Sequence, residues 1–139
     1  MSENGTLAYL AAVNATGELG LVSRDGRFQP LSLPPGNFER PRVSPDGHSI
    51  AYLAGGDLYV YDLERGSTVK LTQDGKDDGM ARLPDSRSLA VDSKRSNGAS
   101  GIFFRKPDGA EQLLIPLADG VTTLWNFSSS PDGARLAWP

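Results

Sequence analysis

Residues 41–72 read PRVSPDGHSIAYLAGGDLYVYDLERGSTVKLT. The tetrad Ser44-Pro45-Asp46-Gly47 has the chemistry of a hairpin turn. Proline presets φ at the second position, the aspartate carboxylate can bond the neighbouring backbone, and glycine accepts the positive φ that closes the loop. Behind the turn, residues 48–54, 57–63 and 67–72 predict three successive strands, the last two separated by Glu64-Arg65-Gly66. On the middle strand Leu58, Val60 and Asp62 share one face and Tyr59, Tyr61 and Leu63 the other. Both faces are largely apolar, as expected of a sheet held between two neighbours and not of one with a face in water.

The same pattern recurs on either side. SENGTLAY from Ser2, SPDGHSIAY from Ser44, LPDSRSLAV from Leu83 and SPDGARLAW from Ser130 each join a turn to Leu or Ile, Ala, and a large apolar or aromatic residue. With Asn4, Asp46, Asp85 and Asp132 as markers, the separations are 42, 39 and 47 residues. The chain therefore reads as one segment of tandem repeats, approximately 2–43, 44–82 and 83–129, with a partial fourth at 130–139. A period of about 43 suits a four-stranded propeller blade. Arg24-Asp25-Gly26 and Pro107-Asp108-Gly109 correspond to the Glu64-Arg65-Gly66 turn. Residues 39–43, 79–82 and 122–129 precede the full turn motifs and predict the first strands of their blades, which line the channel of a propeller. The third copy has Ser86 where the others have Gly, so a positive φ there would be strained and its turn differently shaped or looser. Helical periodicity is absent.

Composition agrees with an all-β chain. Gly (16) and Pro (10) recur through the 139 residues, as many short strands require. An apolar fraction of 38% with a net charge of −3 is not the composition of a disordered segment. The acidic balance and scattered basic residues argue against nucleic acid. Lys94-Arg95, beside Ser96-Asn97-Gly98, reads as a solvated hairpin tip. Without cysteine there is no disulfide framework, thiolate metal site or cysteine nucleophile. The longest apolar run, residues 7–13, falls far short of the roughly 20 residues of a membrane span, so no membrane insertion is expected. No secretory signal is visible, and the compartment stays open.

Taken together, the two SPDG turns, the Ile-Ala-Tyr and Leu-Ala-Trp strands, DLYVYDL and the closing KLT resemble the WD-like, PD-type repeat of TolB-like β-propellers, which typically have six blades. The resemblance spans essentially the whole chain. SENGTLAYL from Ser2, followed by LGLVSRDGRFQPLSLPPGNFERPRVSPDG from Leu19, further resembles the propellers that follow kinase domains in some bacterial receptor-type serine/threonine kinases. What the resemblance implies is about three four-stranded antiparallel blades, half of a six-bladed ring, forming a non-catalytic recognition scaffold of bacterial origin with no cofactor. Two departures stand out: Arg42 replaces the aromatic residue often found two positions before the turn, and Leu83-Pro84-Asp85-Ser86 breaks the turn motif. The segment enters one blade and leaves another at the second strand. Since three blades do not close a ring, either further sequence or a second copy is expected to complete it, two copies supplying six blades.

No catalytic constellation can be read. His48, the only histidine, follows a turn and reads as solvated. Gly98-Ala99-Ser100-Gly101 is not a nucleophile elbow. Asp74, Asp77 and Asp78 offer hard oxygen ligands for calcium, but without EF-hand spacing, so a polar loop between blades explains them equally well. Asn4, Asn14 and Asn126 begin N-x-[ST] matches of the kind that chance supplies. The candidate channel or partner contacts are Glu39, Arg40, Arg42 and Arg82 on the first strands, with Trp125 and Asn126 before the last turn. Burial between blades is the competing role for Trp125, Asn126 and Phe127. Two readings follow: a recognition module for a protein, a small ligand or a second copy of itself, or the accessory sensor or gating propeller of a kinase or a prolyl-oligopeptidase-like hydrolase.

Overall fold

The computed structural model describes residues 7–13, 16–95, 98–117 and 127–137. Among these every regular element is a strand, and no helix is long and apolar enough to cross a membrane. The strands are β1 (Leu7–Val13), β2 (Thr16–Val22), β3 (Phe28–Pro30), β4 (Glu39–Val43), β5 (Ser49–Ala54), β6 (Asp57–Asp62), β7 (Ser67–Lys70), β8 (Asp77–Arg82), β9 (Leu89–Lys94), β10 (Ser100–Arg105), β11 (Glu111–Pro116), β12 (Ser128–Ser129) and β13 (Leu136–Ala137). They form four antiparallel sheets in chain order: β1-β2-β3, β4-β5-β6-β7, β8-β9-β10-β11 and β12-β13. Each strand pairs with its sequence neighbour, so every sheet is a meander. The all-β propeller architecture expected from the sequence is the one observed.

The two-faced reading of the middle strand explains how the sheets stack. Along β5 and β6, Ile50, Tyr52, Tyr59 and Tyr61 pack with Leu19 and Phe38 of the preceding segment in one apolar cluster. Alternate residues Ala51, Leu53, Leu58 and Val60 pack with Met80, Leu89 and Val91 of the third sheet in another. Ala81, Ala90 and Ile102 then meet Phe127 and Leu136 in a third. Side-chain alternation thus sends the residues of β5, β6, β8 and β9 into two different cores. Leu58 is fully buried, which contributes about 1.5–3 kcal/mol by transfer from water. In the first of these cores Tyr52 lies opposite Tyr59, the rings stacked at 5.4 Å, and Phe38 meets Tyr52 edge-on at 5.3 Å.

The turns hold their shape through serine and aspartate. Gly47, at φ 78°, donates its N–H to the Ser44 carbonyl at 2.9 Å, and the Asp46 carboxylate accepts from the Ser44 hydroxyl and from His48 N–H. Ser86 adopts φ 59° and donates to the Leu83 carbonyl at 3.1 Å. The third turn is therefore strained but not looser: Asp85 accepts from Arg87 N–H, Ser88 N–H and the Ser88 hydroxyl. Two strand limits differ from expectation by two residues, beside single-residue differences at His48 and Leu63, which stay outside β5 and β6. Residues 122–126 of the strand expected at 122–129 lie outside the described residues. The strand expected from residue 79 begins at Asp77, and the one expected to Thr72 ends at Lys70, because the Thr72 hydroxyl turns inward to accept from Leu58 N–H at 2.8 Å.

Candidate functional site

The first strands β4, β8 and β12 converge. Each runs into a hairpin turn, which brings Val43, Arg82 and Ser129 to equivalent places, opposite Ile50, Leu89 and Leu136. Arg42, Ala81, Arg82, Phe127 and Ser129 line a cleft of about 240 Å³ between these strands. Where β4 has an apolar valine, β8 has a guanidinium, and the packing around it leaves that group short of partners. Arg82 donates from Nη2 to the Ser49 hydroxyl at 2.8 Å, its backbone carbonyl accepts from the Ser129 hydroxyl at 2.8 Å, and its Nε is buried without a partner among the described residues. Burial draws its pKa down to about 10 despite the opposing fields of Asp46 and Asp85. The group stays cationic at neutral pH. Arg42, partly withdrawn from water and next to the like charge of Arg40, is also held below the usual arginine range.

A register shift between Glu39 and Arg42 decides which predicted residues reach the cleft. Within it Arg40 adopts φ 52° and Pro41 has no N–H to donate to the ladder. Arg42 emerges into the cleft, whereas Glu39 stays exposed opposite Leu53 and Arg40 is half-buried outside the lining. Of the residues proposed for the channel, Arg42 and Arg82 are brought together and Glu39 and Arg40 are not. Trp125 and Asn126 lie outside the described residues, as do Asn4 and Asn14. Phe127 beside them is buried in the third core.

One reading is corrected. Arg95 is not a solvated tip residue. Its side chain folds back over the third sheet, 13% exposed, with its guanidinium 4.8 Å from the centre of the Phe103 ring. It reaches Asp77 at 3.1 Å, Asp74 at 3.5 Å and Glu111 at 2.8 Å, and Glu111 also pairs with Arg105 at 2.6 Å. The guanidinium thus bridges Asp74 and Asp77, two of the three carboxylates considered for calcium. Burial pushes the Asp77 carboxyl up, against hydrogen bonds from Thr72 and Ser93 and the charge of Arg95. Among the described residues no group of His, Cys, Asp or Glu is arranged to hold a metal. Nothing near Arg95 in sequence announces this, since its partners are 16 to 21 positions away.

The other candidates fall apart in space. His48 is exposed, with Nδ1 3.3 Å from an equally exposed Glu64 carboxylate. Ser100 is the first residue of β10, paired with Lys94 in the sheet, far from the strand-to-helix turn that raises a nucleophile.

Residues 9–85 match the family described as the dipeptidyl peptidase IV (DPP IV) N-terminal region. No curated protein sequence matches the chain. Among solved structures, a protein of Agrobacterium tumefaciens described as a TolB superposes with a TM-score of 0.78 at 23% identity, over 99% of this chain and 51% of that one. TolB from Acinetobacter baumannii gives 0.75 at 19% identity, over 98% of this chain and 36% of that one. Dipeptidyl peptidase 4 of Porphyromonas gingivalis gives 0.62 at 14% identity, over 99% and 28%. The chain therefore spans about a quarter to a half of the length of the propeller proteins it resembles.

Proposed function

This chain belongs to the dipeptidyl peptidase IV N-terminal region family, and on that premise we propose that it is a non-catalytic propeller scaffold whose first-strand cleft recognises a protein or small ligand. The observation behind this reading is Arg82, a cation with a spare Nε–H beside Arg42 at the place where three sheets meet. A carboxylate or carbonyl entering the cleft would meet the charges of Arg82 and Arg42, and charge-assisted hydrogen bonds to guanidinium groups are the strong ones. The ring is closed by further sequence or by a second copy that buries the outer sheet faces.

Light scattering on the purified chain tests self-completion. A dimer of the 14.8 kDa chain is expected, and a well-folded monomer would refute that mode of closure. Hydrolysis of a dipeptidyl chromogenic substrate by the isolated chain would refute the scaffold role itself. The second reading, an accessory sensor or gating propeller of a larger enzyme, draws on the similarity to Porphyromonas dipeptidyl peptidase 4, of which the matched region is 28%. The neighbouring coding sequence decides it. A hydrolase or kinase domain there supports the accessory role, and the absence of both sinks it.

A further inference from the structure

We propose that the groove between the second and third sheets binds an extended segment of a partner protein in which aliphatic and acidic residues alternate. The groove encloses about 330 Å³. One wall is aliphatic and comes from the second sheet: Val60 of β6, Val69 of β7 and Leu71. The opposite wall is cationic and comes from the third sheet: Arg82 at the end of β8, Arg87 in the turn that follows, and Arg105 and Lys106 at the β10–β11 turn. The chain has 17 acidic against 14 basic residues, yet no carboxylate lines this groove.

The two walls differ in how far their groups are already satisfied. Arg105 is engaged by Glu111 behind it, and Arg82 lies in the fields of Asp46 and Asp85. Arg87 feels Asp85 but is exposed, as is Lys106, and among the described residues neither forms an ion pair. On the other wall Val69 is 58% exposed, more than any other exposed large hydrophobic side chain among the described residues. An apolar side chain in water facing unpaired cations is the complement of a strand whose side chains alternate every residue. Its aliphatic residues would cover Val69 and its neighbours while its carboxylates met the opposite wall. A small molecule is a poorer occupant, because sites for small ligands enclose most of the ligand surface and this groove leaves its outer wall open. The groove lies wholly between two sheets of the chain, so the proposal does not depend on what closes the ring.

Fluorescence anisotropy on the full chain tests it, with a fluorescein-labelled peptide of alternating Glu and Val as probe and its Lys–Val counterpart as comparison. The Glu–Val peptide should bind and weaken with added salt, and the Lys–Val peptide should not bind. The double variant Arg87→Glu/Lys106→Glu, at exposed positions that leave the fold intact, should bind at least about tenfold more weakly. Val69→Ser, which removes the apolar contact without adding charge, should weaken binding too, and Arg24→Glu/Arg27→Glu on the first sheet should not. Equal binding of both peptides, no binding of the Glu–Val peptide, or binding undiminished in Arg87→Glu/Lys106→Glu would each overturn the proposal. Arg42→Gln should leave the affinity unchanged; a loss there would move the peptide to the first-strand cleft and equally overturn the groove.

Discussion

Ser86 shows how a single residue can be both strained and useful. It stands at φ 59° where the equivalent Gly47 and Gly133 stand at 78° and 71°. An L side chain in that conformation costs about 1–2 kcal/mol. Its hydroxyl, however, accepts the Asp46 N–H at 3.0 Å, tying the third turn to the second across the sheets. Such a bond contributes about 1 kcal/mol. Ser86→Ala keeps the strain and loses the bond, and should lower stability by about 1 kcal/mol in urea unfolding. Ser86→Gly loses both and should stay within about 1 kcal/mol of the parent. If the alanine variant were as stable as the parent, the cross-turn bond would contribute nothing.

Within elements, the third sheet has its own constraint at Gly101. This residue of β10 has φ 151°, and a Cβ there would lie 2.0 Å from the Ile115 carbonyl oxygen. The next step of the ladder, between Ile102 and Phe103, is where the β10–β11 register shifts. Bulge and glycine together let β11 approach β10 closely. Gly101→Ala has to push a backbone carbonyl aside, so it should destabilise the chain by about 1–3 kcal/mol. Amides of β11 should lose protection in hydrogen exchange before those of β5 and β6. Uniform loss of protection across the sheets would show that the effect is not local to that strand pair.

Over the whole molecule, the turn aspartates set the response to acid. At Asp46 and Asp85 burial raises the pKa, but hydrogen bonds from Ser44 and Ser88 and from turn N–H groups outweigh it, leaving both carboxyls below the ordinary 3.8. Asp132 in the last turn is lowered as well, chiefly by the Ser130 hydroxyl. The unfolded chain then binds more protons than the folded one in this range. The stability these groups contribute is present above about pH 3.8 and is lost as pH falls through their lower folded values. Asp77, raised by burial, works in the opposite sense. The melting temperature should fall progressively below about pH 4. Asp46→Asn/Asp85→Asn should be less stable at neutral pH and show a shallower acid limb. An unchanged acid limb in that variant would assign the acid lability elsewhere.

By itself the sequence determined the strands, the turns and the two-faced packing, because these depend on a period of two residues and on the backbone preferences of Pro, Asp and Gly. Leu58 and Tyr61 had to face opposite ways whatever lay beyond them, and the clusters they join confirm it. Part of the candidate cleft was legible too: Arg42 and Arg82 stand just before turn motifs, and the strand assignment put them on first strands. That Glu39 and Arg40 miss the cleft was decided by a bulge at Pro41, whose missing N–H is its only local sign; how far the register moves turns on the fit of β4 to β5. Only the tertiary structure turned Arg95 from a tip residue into a bridge to Asp74, Asp77 and Glu111, and set Val69 opposite Lys106. The physical reason is range: turn chemistry acts over four residues, whereas the meeting of one sheet with the next depends on how both twist and pack, and the side chains that meet there are far apart in the chain.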